Sequence, residues 1–138
     1  QNTRVYNELE IQDAYHPLSH HQNDPSKIAQ VLQIDILHSQ MFAYFLEKMR
    51  STPDGDGSLL DHSMIVYGSS LSDGNLHVHN DLPILLLGGR AGQTLAGRHV
   101  RYPDDTPTTN LFLTLLDKLE IPLENFGDST GHLKLLEV

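Results

Sequence analysis

Apolar positions recur along this chain in two distinct rhythms. From Asp24 onward the spacing is helical, with Ile28, Val31, Leu32, Met41, Phe42, Phe45, Leu46 and Met49 sharing one broad stripe with Asp35 and His38. Asp24 is a natural N-cap, and Pro25 suits the first helical position, where a missing N–H costs no hydrogen bond. The stripe is mostly apolar and is expected to face a core. Ser51 to Gly57 then ends the helix with surface turn residues. Its Asp54-Gly55-Asp56-Gly57 run resembles the start of a calcium loop but lacks the later spaced ligands and the closing Glu.

The second rhythm is short and continuous. Ser63-Met64-Ile65-Val66-Tyr67-Gly68 and Leu82-Pro83-Ile84-Leu85-Leu86-Leu87-Gly88-Gly89 predict two inner strands of a sheet covered on both faces. Gln93 to Tyr102, with a turn at Gly97 and Arg98, predicts a hairpin or a pair of short edge strands. A last helix is expected with Thr108 or Thr109 as its cap, carrying Leu111, Phe112, Leu115, Leu116 and Leu119 and stopped at Ile121-Pro122. Gly127 and Gly131 mark turns in the tail. One α/β domain over residues 1–138 accommodates this order, since a chain of 138 residues can bury a real core.

Composition narrows the function classes. Nine basic residues stand against 18 acidic ones, a net charge of -9 with neutral histidines, which argues against sequence-independent binding to nucleic acid or to anionic lipid. No apolar run approaches the roughly 20 residues of a membrane span. Cysteine is absent, so any metal must be held by His, Asp, Glu or Asn. The opening on Gln1, without an initiator Met, suggests a processed product or a piece of a longer chain.

Histidines crowd two segments. Tyr15-His16-Pro17-Leu18-Ser19-His20-His21-Gln22-Asn23-Asp24 places His16 and His20 four apart ahead of the long helix. Pro17 argues for an extended or turned segment rather than a helical pair. Neutral imidazole is a common ligand for transition metals, so these side chains are chemically sufficient for one; the alternative is surface or helix-capping histidines. Between the expected strands, Ser72-Asp73-Gly74-Asn75-Leu76-His77-Val78-His79-Asn80-Asp81 offers Asp73, Asn75, His77 and His79. His77 and His79 point the same way if Leu76 to Asn80 is extended. Asx turns at Asp73 and Asn75 would serve a loop that needs no metal.

Taken in order, these motifs resemble the C-terminal half of the alkaline phosphatase superfamily, with the cofactor-independent phosphoglycerate mutases as the nearest pattern. There an Asp and a His four apart precede a helix, a strand leads to Asp-His-Gly-Asn, and a further His precedes a strand. His16 stands where that pattern has Asp, and Gly74 where it has the second metal's His. The departure at Gly74 resembles sulfatases, whose Ser-Asp-Asn-Gly motif serves a single metal. More narrowly, His16-Pro17-Leu18-Ser19-His20-His21 is similar to the signature of a bacterial domain family of unknown function named for its HxxSHH motif, and Gly68 to His79 with Asp81-Leu82-Pro83 fits it too.

The resemblance implies the C-terminal part of an alkaline phosphatase-like three-layer sandwich, a mostly parallel sheet flanked by helices with a small edge hairpin. It implies an exported, periplasmic or secreted protein whose nucleophile lies in an N-terminal segment outside this chain. A divalent metal (zinc, manganese or calcium) would be held by His16, His20, Asp73 and His77 or His79. The implied reaction is hydrolysis or transfer of a small anionic phosphate or sulfate ester. Within the motif Ser19 is the one candidate nucleophile, though capping or a supporting hydrogen bond suits it better. Tyr15 and Arg90 are candidates for binding a substrate oxyanion. Two other readings stand beside the enzyme: a non-catalytic metal-binding or structural module, and a metal-free domain whose histidines respond to pH.

Overall fold

A computed structural model describes residues 4–89 and 97–133. Helices α1 (Tyr15–Ser19), α2 (Pro25–Ser51) and α3 (Thr108–Lys118) are accompanied by strands β1 (Pro53–Asp54), β2 (Gly57–Ser58), β3 (Ile65–Gly68) and β4 (Ile84–Leu87). The chain divides into two compact units, residues 1–49 with 69–82 and residues 50–68 with 83–138.

The three-layer sandwich with a mostly parallel sheet does not form among the described residues. The strands there make two separate two-stranded sheets, β1 with β2 and β3 with β4. Both pairs are antiparallel; in the second, Ile65 faces Leu87 and Gly68 faces Ile84. A parallel pair needs a crossover, usually helical, and the connection from Gly68 to Ile84 contains no helix. Nor are these inner strands covered twice, because Val66 and Leu85 are exposed while Ile84 and Leu86 pack against a cluster of Leu111, Leu115 and Leu133. Val66 lies opposite Leu86 and Leu85 opposite Tyr67, so each face of the pair keeps one exposed apolar side chain. Of the expected hairpin over Gln93 to Tyr102, residues 93–96 lie outside the described residues and 97–102 carry no strand.

In the first unit, Tyr6, Ile11, Leu18 and Ile34 form the buried cluster, with Leu9, Tyr15, Val31 and Leu37 against it. The helix starts as its residues dictate: Pro25 is its first residue, and Asp24 Oδ1 accepts the Ser26 N–H at 2.8 Å. Only part of the expected stripe is buried. Ile34, which falls between Met41 and Phe45 around the helix, is fully buried and the stripe's Val31 packs against its cluster, whereas Ile28, Leu32, Met41 and Phe45 are exposed. Apolar residues occur on nearly every side of this helix, so its spacing alone does not select the face that packs.

In the second unit, α3 begins at Thr108 and presents Asn110, Leu111, Leu113, Thr114 and Leu115 to the interior. Its polar members fasten the segment that follows. Asn110 Nδ2 donates to Thr130 Oγ1 at 3.1 Å, and Asn110 Oδ1 accepts the Thr130 N–H at 2.8 Å. Thr114 Oγ1 donates to the Asn110 carbonyl at 2.7 Å and accepts the Leu133 N–H at 2.8 Å. Buried polar atoms are thereby satisfied, as burial demands. Gly88 closes β4 at φ +96, with the Ser63 carbonyl where a Cβ would stand, so glycine is required there.

Candidate metal-binding site

The two histidine-bearing segments belong to the same unit. The first is helical rather than extended: α1 spans Tyr15 to Ser19. Pro17 is tolerated because it stands in the first turn, where the N–H has no intrahelical acceptor to lose. One helical turn brings His16 and His20 together, with ring centroids 4.8 Å apart and planes at 87°. Leu18, on the opposite side of this turn, is buried in the core cluster and anchors it. Ser19 Oγ donates to the His16 carbonyl at 2.8 Å, the supporting role rather than that of an activated nucleophile.

The second segment supplies His77. Its ring centroid lies 4.9 Å from that of His20, at 76°, so three imidazoles run His16, His20, His77. The backbone that places it is not extended. His77 has φ +54, a left-handed conformation that a non-glycine residue adopts only when its surroundings hold it there. Asp73 and Val78 form an isolated antiparallel bridge around this turn, and the Val78 N–H donates to the Asp73 carbonyl at 3.0 Å.

The turn separates His77 from His79. The expected common direction of the two fails, and His79 Nδ1 lies 2.9 Å from the Ser70 carbonyl. Asp73 is likewise engaged: Oδ1 accepts the N–H groups of Asn75 at 2.8 Å and Leu76 at 3.1 Å. This is the Asx turn that the loop chemistry allowed. Asn75 does something else, accepting the Gln22 N–H on Oδ1 at 2.9 Å and so joining the two segments. Close by, a Cβ at Gly74 would stand 3.1 Å from Ser19 Cβ. Glycine at the position where the resembled motif has a histidine therefore avoids a tight contact with Ser19 here. Neither Asn75 as a bridge nor Gly74 as a contact has a local signal in the sequence, because each depends on a partner more than 50 residues away.

The remaining candidates sit as follows. The Tyr15 hydroxyl donates to Asp35 Oδ1 at 2.9 Å; beside it Tyr6 Oη and His38 Nε2 are 3.2 Å apart. Arg90 lies outside the described residues. His16 and His77 are exposed and His20 is half-buried. Among the described residues, no three or more His, Asp or Glu side chains are grouped as they stand so as to hold a metal ion. The donor chemistry is thus assembled while a ligand geometry is not. No helix there is long and apolar enough to cross a membrane. No family model matches the chain, and no curated protein or solved structure matches it.

Proposed function

We propose that the first unit is a divalent-metal-binding module whose ligands are His16, His20 and His77. The observation that carries this reading is the run of three imidazoles from two segments far apart in sequence. Two imidazoles on one zinc ion, with Zn–N of about 2.0–2.1 Å and tetrahedral angles, place their ring centroids about 5 Å apart; the separations here are 4.8 and 4.9 Å. Each neighbouring pair therefore has a separation that suits the ion, and ligation by all three needs side-chain rotation that also brings His16 and His77 together. Exposed rotamers turn over within nanoseconds, so such a rotation is accessible. Asp73 and His79 are left out of the ligand set, since each is engaged with backbone groups of its own loop.

The resemblance to the phosphoglycerate mutase pattern, in which an Asp and a His four apart hold one metal, maps onto the same pair, His16 and His20. Hydrolysis or transfer of a phosphate or sulfate ester is a second reading, favoured by the exposure of His16 and His77, which leaves the cluster open to an anionic substrate. An ion held by three imidazoles with an open position supplies Lewis-acid polarisation of such an ester.

Zinc and manganese titration of the purified chain, followed by calorimetry and by histidine-ring NMR, tests the module. The expected result is stoichiometric binding with His16, His20 and His77 resonances perturbed, abolished in His16→Ala and His77→Ala and unchanged in His79→Ala. Binding that survives the first two variants, or no binding at all, overturns it. For the ester reading, metal-loaded protein turning over no aryl phosphate, phosphodiester or aryl sulfate counts against catalysis and leaves the binding module standing.

A further inference from the structure

The turn-rich stretch after α2 folds as the hairpin β1–β2, with Pro53 opposite Ser58 and Asp54 opposite Gly57. His62 packs against it with both ring nitrogens engaged. Nδ1 lies 3.0 Å from Asp54 Oδ2 and Nε2 lies 3.1 Å from Asp56 Oδ1. An ionised carboxylate only accepts hydrogen bonds, and a neutral imidazole has a single N–H. Both contacts are hydrogen bonds only when the ring is imidazolium.

Two glycines of the hairpin lie beside the ring. Gly55 turns the hairpin at φ +58, and Cβ atoms at Gly55 and Gly57 would stand 3.9 and 3.5 Å from His62 Cε1. Two carboxylates thus straddle one ring, Asp54 at Nδ1 and Asp56 at Nε2. A third acid, Asp61, is held apart. Its Oδ2 accepts the Ser58 N–H at 2.9 Å and the Ser58 O–H at 2.7 Å. Asp54 and Asp56 from the hairpin, with Asp61 from the turn that carries His62, are the charged groups that face the ring.

We propose that Asp54, His62 and Asp56 form a proton-operated clamp that fastens the β1–β2 hairpin when the ring is charged and loosens it when the ring is neutral. The side chains are 28, 47 and 96% exposed for His62, Asp54 and Asp56, so solvent screening keeps each pair weak and the effect is local to the hairpin. Direction follows from the surroundings. The hydrogen bond to Asp54 raises the His62 pKa above the ordinary imidazole value, opposed by partial burial and reinforced by the charges of Asp54 and Asp56 and the hydrogen bond to Asp56. A folded-state pKa that is raised contributes stability fully present below the unfolded value and lost as pH rises through the folded value. Acidification therefore tightens the hairpin, and alkalinisation past the His62 midpoint frees Asp56 first, the more exposed partner.

The clamp is tested by ring NMR of His62 together with hydrogen-exchange protection of the Leu59 amide, which donates to the Thr52 carbonyl at 3.0 Å across the hairpin's open end. Over about pH 5.5 to about pH 8.5, His62 is expected to titrate above the ordinary imidazole value of about 6.5. Leu59 protection is expected to fall with the same midpoint, tenfold for every unit by which His62 exceeds an unfolded imidazole. In Asp54→Asn with Asp56→Asn the ring is retained, its midpoint returns to the ordinary value, and the pH dependence of protection disappears. His62→Gln flattens that dependence as well. A native His62 that titrates at or below the ordinary value overturns the clamp. So does a Leu59 protection profile that follows the same pH course in either variant.

Discussion

Asn75→Ala tests whether the metal site depends on how its two loops are joined. Its Oδ1 accepts the Gln22 N–H at 2.9 Å, and Gln22 itself holds φ +50, a conformation that needs such support in a non-glycine residue. His16 and His20 lie just before Gln22, and His77 just after Asn75, so this bond connects the carriers of all three imidazoles. Truncation removes one neutral hydrogen bond at a half-buried position, a net loss of about 0.5–1.5 kcal/mol. The Gln22 N–H is exposed and turns to water, so no orphan penalty is added. With the loops uncoupled in the metal-free protein, binding must reassemble them, and affinity for zinc is expected to fall between about twofold and about tenfold. Asn75→Asp keeps an acceptor oxygen at the same place and is expected to recover the loss. Calorimetric titration of the three proteins reads the effect directly. Wild-type affinity in Asn75→Ala, or a loss that Asn75→Asp does not recover, refutes the reasoning.

Gly74→Ala probes the same junction by steric means: the new Cβ stands 3.1 Å from Ser19 Cβ, so metal affinity should drop while thermal stability changes little, as reduced unfolded-state entropy offsets the contact. Thr114→Val leaves the buried Leu133 N–H without its 2.8 Å acceptor and should cost about 1–3 kcal/mol in urea unfolding, whereas Thr114→Ser should recover most of it. Ile34→Ala, at a side chain with 0% exposure, should cost about 2–5 kcal/mol by the same measurement; a smaller loss would mean that α2 is packed by another face. The Ser58 hydroxyl and then its N–H hold the Asp61 carboxyl below the usual range. A lowered folded-state pKa contributes stability that is present above the unfolded value and lost as pH falls through the folded one, so carboxyl NMR should find Asp61 titrating low, and Ser58→Ala should raise it.

Local chemistry was legible where a boundary is decided locally. Asp24 and Pro25 start α2 because a cap and a proline act on their own neighbours, whereas the threonine cap expected for α3 is not used: its N-cap is Pro107, without a side-chain hydrogen bond. The strands fall within their apolar runs. Pairing direction is a different matter: a continuous apolar run is compatible with a parallel or an antiparallel partner, and only the absence of a helix between Gly68 and Ile84 decides. Likewise the face that α2 buries is chosen by Tyr6, Ile11 and Leu18, which close on Ile34 from another part of the chain. Pro17 misled in the opposite sense, since a proline in a first turn leaves a helix intact.

The site divides along the same line. Both histidine segments were visible as composition, yet which imidazoles meet is fixed by one backbone turn. Had Leu76 to Asn80 been extended, His77 and His79 would have shared a face; φ +54 at His77 sends one toward His20 and leaves the other on the Ser70 carbonyl. What the fold makes rigid is therefore the frame: the Asp73 Asx turn, the Asn75 bridge and the close approach of Gly74 to Ser19. The imidazoles themselves are the exposed or half-buried part. The proposed metal site would take its selectivity from the placement of its loops rather than from a buried cage, and changes at Asn75 or Gly74, which would ligate nothing, should move metal affinity more than changes at His79, which is turned away.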